Sequence, residues 1–147
     1  MDAKTEAQQT IVGVRDRLVN LSHKIHANPE LRFEEAEASA LLAESLADSG
    51  FAVETGVCDL STAFIARAGS GPLHIAICAE YDALPGVGHA CGHNMIAAMA
   101  VGAGIAAAQV ADDVGLTISV IGTPAEEGGG GKIFMLERGG FKGIHAA

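Results

Sequence analysis

The hydrophobic positions of this chain change period part-way along. Over 5–27, Ile11, Val14, Leu18, Leu21 and Ile25 recur at steps of three and four, with Arg15, Arg17 and Lys24 off that stripe, which predicts an amphipathic helix. Asn28-Pro29 breaks it. A second helix is expected over about 34–48, with Ala38, Leu41, Leu42, Ala43, Ser45 and Leu46 toward the core. Acids crowd its first turn, where the helix dipole favours them, and Gly50 stands at its stop. The period then shortens. Segments 51–55 and 62–67 read as strands, and 73–79 and 115–122 as strands apolar enough to be buried on both faces. A small-residue helix over 93–109 separates the last two, and a short helix over 132–138 follows the second. This order, with a strand-helix-strand unit from 73 to 121, predicts an α/β fold: a mixed sheet covered by helices. The chain stops at Ala146-Ala147 on what reads as the approach to a further strand, so a truncated chain is expected.

Composition narrows the class. With 147 residues, 49% hydrophobic and 18% charged, the chain can bury the core of one domain and is not a disordered segment. A net charge of −9 offers no cationic surface, which argues against nucleic acid or an anionic membrane as partner. The uncharged run 95–108 falls short of the roughly 18–20 residues that span a bilayer. Three cysteines at no framework spacing, and an N-terminus without a signal-peptide pattern, point to a reducing, cytoplasmic setting.

The candidate chemistry lies just after the two apolar strands. The first runs into Glu80-Tyr81-Asp82, turns through Pro85, Gly86 and Gly88, and delivers His89, Cys91 and His93. With Gly92 between them, a thiolate and an imidazole can converge on one divalent ion. The second strand runs into Pro124-Ala125-Glu126-Glu127 and four glycines. If the strands are neighbours, both loops meet at one sheet edge. Adjacent residues of an extended segment point to opposite sides, so one carboxylate can ligate the ion while the other acts as general base.

These motifs carry a family resemblance. Ala79-Glu80-Tyr81-Asp82-Ala83-Leu84-Pro85, His89-Ala90-Cys91-Gly92-His93-Asn94, Gly122-Thr123-Pro124-Ala125-Glu126-Glu127-Gly128-Gly129-Gly130 and His26-Ala27-Asn28-Pro29-Glu30-Leu31 resemble the M20 metallopeptidase/amidohydrolase family, in its aminobenzoyl-glutamate-utilisation and aminoacylase-1-like-2 branch. The resemblance implies a zinc-peptidase-like catalytic domain and a hydrolase cleaving an amide of a small N-acyl or N-aminoacyl amino acid, such as p-aminobenzoyl-glutamate or a dipeptide. It implies Cys91, His93 and Glu127 as metal ligands, Glu126 as general base and Asp82 as the acid that braces the metal centre. Glu80 stands where other branches place a ligand histidine. The cofactor implied is a divalent metal, zinc foremost, with manganese or cobalt also fitting and up to two ions in the complete enzyme. Residues 1–147 correspond to the N-terminal part of the catalytic domain. A lid/dimerisation domain, the C-terminal part and two further histidine ligands are absent, and a homo-oligomer is expected of the full-length protein. His145 falls a few residues short of the family's next ligand.

Other readings compete. A truncated, catalytically inactive fragment that folds or self-associates without turnover is the main alternative. A cysteine hydrolase using Cys91 and His93 would need a base behind the thiol, which the two-residue spacing disfavours. A phosphate-binding loop at Gly128–Lys132 fails, because Glu126 and Ile133 stand where the pattern needs Gly and a hydroxyl residue.

Overall fold

The structure, a computed structural model, describes residues 2–147. Its elements are helix α1 (Ala3–Ala27), α2 (Ala36–Ala47), strands β1 (Ala52–Thr55), β2 (Phe64–Gly69) and β3 (Leu73–Ala79), α3 (His93–Val110), β4 (Leu116–Gly122) and α4 (Gly131–Glu137). Every expected element is present within a few residues of its predicted bounds. A short 3-10 turn at Val57–Asp59, with Cys58 and Asp59 at positive φ, adds to them.

The four strands form one mixed sheet in the order β1-β2-β4-β3. β2 is antiparallel to β1 and to β4, while β3 runs parallel to β4 with Ala79 opposite Gly122. The parallel pair is joined through α3, as a strand-helix-strand unit requires. α1, α2 and α3 cover one face, where Phe64, Ala66, Ile118 and Val120 meet Leu21, Ile25, Leu42, Leu46 and Val101. The alternate positions Ile65 and Ile121 face the other side, against Met135 of α4.

Two expectations change. β3 is only partly buried: Ala76 and Ala79 are buried on opposite faces, but the strand stands at the edge of the sheet and Leu73 at its start is 46% exposed. Continuous apolarity specifies two apolar faces but not a neighbour on each side. The α1 stripe is likewise only partly used; Leu21 and Ile25 are buried, whereas Ile11 is exposed. α3 is apolar enough to cross a membrane by length and composition, yet 61% of it is buried, as in a core helix.

Candidate metal centre

Because β3 and β4 are parallel neighbours, the loops leaving their carboxyl ends start side by side. Thr123 fastens them, its backbone N–H donating to the Ala79 carbonyl at 2.8 Å and its hydroxyl to the same oxygen at 3.1 Å. The first loop ends at Gly92, which caps α3 at φ 80, a left-handed turn that glycine adopts without strain. That turn makes His93 the first residue of the helix and aims its ring back at the sheet edge.

His93 is the centre of the arrangement. It is buried, and its Nδ1 lies 2.8 Å from the Asp82 carbonyl and 3.1 Å from Asp82 Oδ1. A hydrogen on Nδ1 is accepted by the nearer carbonyl, and in that neutral tautomer the Nε2 lone pair faces outward. Around Nε2 stand three carboxylates: Glu80 Oε2 at 3.6 Å, Glu126 Oε2 at 3.7 Å and Glu127 Oε1 at 3.9 Å. Ligand atoms of His93, Glu126 and Glu127 all lie within 4.8 Å of one another. Asp82, itself buried, ties the two loops together by accepting the Glu127 backbone N–H on Oδ2 at 2.9 Å.

The electrostatics ask for a cation. Four carboxylates crowd one imidazole, and the ammonium of Lys132, paired with Glu80, is the positive group beside them. Asp82 Oδ1 is a buried oxygen with no hydrogen-bond partner among the described residues. An imidazole lone pair, hard carboxylate oxygens and a neighbouring thiol form a donor set that suits a divalent ion of the zinc type.

Residues 76–147 match the model for peptidase family M20/M25/M40. The chain belongs to the M20 peptidase family. It is 37% identical over 152 residues to one of the subunits of the p-aminobenzoyl-glutamate hydrolase of Escherichia coli, covering 90% of this chain and 32% of that protein. It is 40% identical to the Xaa-Arg dipeptidase of Mus musculus, covering 96% of this chain and 36% of that one. Among solved structures, a Bacillus subtilis protein described as a dinuclear metal-binding peptidase from the M20 family superposes with a TM-score of 0.81 at 29% identity, over 90% of this chain and 41% of that chain. The M20 chain spans about a third of the length of the curated relatives it matches.

Within this M20 chain the sequence-predicted residues are only partly brought together. His93, Glu126 and Glu127 converge, and Asp82 lies behind them. Cys91 is exposed and outside the tight group; the neighbouring Glu127 carboxylate, more than burial, pushes its thiol pKa up. Glu126 and Glu127 do not point to opposite sides. They lie in a turn that follows Ala125 at φ 58, and both carboxylates face His93, the Glu127 side chain 21% exposed and that of Glu126 41%. His145 is hydrogen-bonded to His74 at the start of β3, the far end of the strand from the site. His89 packs near His26, and burial pushes its pKa down. Tyr81 is fully buried, its ring stacked on Phe64, and takes no place at the surface of the site.

Two residues beside the site have a structural role that the sequence does not assign them. Lys132 sits in a glycine-rich stretch where it resembled part of a failed phosphate loop, yet it pairs with Glu80. Asn94 donates to the Ser22 hydroxyl at 2.9 Å and so fixes the first turn of α3 to α1.

Proposed function

We propose that this chain is the metal-binding part of a metal-dependent hydrolase that cleaves the amide of a small N-acyl or N-aminoacyl amino acid. The observation that carries the reading is the convergence of His93 Nε2 with Glu126 and Glu127 at the carboxyl ends of two parallel strands. Cys91, His93 and Glu127 would hold the cation, with zinc the best match to a sulfur, nitrogen and oxygen set and a second ion accommodated in the complete enzyme. When bound, such a cation supplies Lewis-acid polarisation of the amide carbonyl and acidifies water.

The chain's own residues supply the rest. Glu126, the more exposed acid of the pair, would take a proton from the attacking water and return it to the leaving amine. The Asp82 carbonyl keeps the hydrogen of His93 on Nδ1, leaving Nε2 as the ligand atom. The Asp82 carboxylate holds the backbone of Glu127 in place. Asp82 also makes the thiol-hydrolase reading weaker, because the imidazole is committed to Asp82 and the carboxylates rather than to Cys91.

The substrate class is taken from the M20 relatives, whose names include p-aminobenzoyl-glutamate hydrolase and Xaa-Arg dipeptidase. A chain that binds a cation without turnover is the second reading, favoured by its spanning about a third of those relatives. The test is zinc content and hydrolysis of p-aminobenzoyl-glutamate and dipeptides by the full chain and two variants. Glu126→Gln is expected to abolish hydrolysis with zinc content intact, and Glu127→Ala to lower zinc content. Zinc binding without hydrolysis in the unsubstituted chain selects the second reading, and no zinc binding at all refutes both.

A further inference from the structure

Glu35 is 0% exposed, yet it belongs to no part of the mechanism above. It occupies the N-cap position of α2 but makes no side-chain cap bond there. Its carboxylate reaches across the molecule instead. Oε1 accepts the backbone N–H of Ala125 at 2.8 Å, and Oε2 accepts the Thr62 hydroxyl at 2.9 Å. The Thr62 carbonyl in turn accepts the hydroxyl of Tyr81. Burial pushes the carboxyl pKa of Glu35 up, an effect that its own backbone N–H, the Ala125 N–H and the Thr62 hydroxyl offset only in part.

Ala125 immediately precedes the carboxylate pair, is fully buried and has φ 58. A positive φ is unfavourable for alanine and persists where the surroundings enforce it. Without it, the chain leaving Pro124 would continue extended, and Glu126 and Glu127 would diverge. With it, the chain folds into the turn closed by Gly129 N–H on the Ala125 carbonyl at 3.2 Å, and both acids face His93.

The segment carrying Glu35 is shaped to hold this turn. A Cβ on Gly129 would lie 2.4 Å from the Phe33 ring and 2.7 Å from the Ala125 methyl, so ring, glycine and methyl are in close contact. Arg32 Nη1 reaches the Gly128 carbonyl at 3.4 Å. The same segment also holds the other loop of the site, the Glu30 carbonyl accepting the Ala83 N–H at 2.8 Å.

We propose that Glu35 is a positioning residue: by clamping Ala125 in its left-handed conformation it turns Glu126 and Glu127 together onto His93. The proposal rests on reading that cluster as the cation site, and its test separates the two. In the metal-free chain, NMR of Ala125 should give the strong intraresidue HN–Hα NOE of a positive φ. Glu35→Gln, which keeps an acceptor for the Ala125 N–H, should retain this signal and bind Zn²⁺ within about threefold of the unsubstituted chain. Glu35→Leu should lose the signal and bind Zn²⁺ about 10–100-fold more weakly, the range seen when a group orienting a metal ligand is removed. Adding Ala125→Gly to Glu35→Leu should recover part of that loss, since glycine holds a positive φ unaided. Should Glu35→Leu not fold, Glu35→Asp, one methylene too short to reach Ala125 but still charged, is expected to weaken the signal and the affinity. An undiminished Ala125 signal, or Zn²⁺ affinity within threefold, in the folded Leu variant or otherwise in the Asp variant overturns the proposal. If the unsubstituted chain takes up no Zn²⁺, the cation reading fails, and the Ala125 signal still decides the role of Glu35.

Discussion

Replacing Gly104 with alanine sets two effects of known size against each other. Gly104 lies in the middle of α3, buried against the sheet. On helix propensity alone the change should stabilise by about 1 kcal/mol. A Cβ built there, however, falls 2.3 Å from Val120 Cγ2. Val120 is fully buried on β4, between β2 and β3, so the strand cannot move aside, and its branched side chain is stiff at χ1. Relieving the overlap pushes α3 off the sheet, and overpacking of this kind costs about 1–3 kcal/mol. The short distance and rigid neighbour put the cost toward the upper end, giving a net loss of about 1–2 kcal/mol. For a chain of this size that lowers Tm by roughly 3–8 °C. Two other helical glycines serve as controls. Gly13→Ala on exposed α1 meets nothing within 4 Å and should stabilise by about 0.5–1 kcal/mol. Gly102→Ala meets Leu18 Cδ1 at 2.6 Å, the free end of a flexible side chain, and should fall between the two. Denaturant melts of the three variants check the order. Because α3 begins at His93, Zn²⁺ affinity should fall with stability in Gly104→Ala and hold in Gly13→Ala. A Gly104→Ala chain as stable as the original would refute the packing argument.

Three further outcomes follow from single sites. Tyr81 is the one tyrosine of the chain, and burial, reinforced by Glu35, raises its pKa well above the ordinary value. Its stability contribution is complete below about pH 10, where the phenol of the unfolded chain starts to ionise, and is lost as pH rises toward the folded value. Phenolate absorbance should therefore appear only together with unfolding; a phenolate signal from the folded chain near pH 10 contradicts the burial. Phe64→Ala removes a fully buried ring stacked on Tyr81 and should cost about 3–5 kcal/mol in a urea melt, with a loss under about 1 kcal/mol speaking against that core. Asp82→Ala takes the acceptor from the Glu127 N–H and should weaken Zn²⁺ about 10–100-fold by calorimetry; unchanged affinity would remove Asp82 from the site.

How much of this was legible in the sequence depends on the reach of each signal. Strands β3 and β4 and helix α3 were read at nearly their observed bounds, because buried runs and a small-residue helix are patterns within a few residues. The ligand-type residues were found for the same reason: they follow directly on those strands. The edge position of β3 was hidden, since it depends on strand order. The turn at Ala125 was hidden too, because positive φ is signalled by Gly or Asn and the residue here is alanine. Glu35 was lost among Glu34, Glu35 and Glu37, which together read as acids favouring a helix N-terminus. Only Glu37 fits that first turn, paired with the Asn28 amide, while Glu35 turns inward.

Those hidden features belong to one physical problem. Holding Glu80, Glu126 and Glu127 around one imidazole opposes their mutual repulsion, and an unrestrained loop would relax by swinging the acids into water. The chain blocks each escape with a contact from elsewhere in the sequence. Lys132 pairs with Glu80, the Asp82 carboxylate holds the backbone of Glu127, and Glu35 holds the residue before the pair. Each restraint joins segments far apart in the chain, the last spanning 90 residues, which is why local pattern does not reveal it. The acids can thus wait in place for a cation, and the packing of residues 30–35 against both loops becomes part of the site's chemistry.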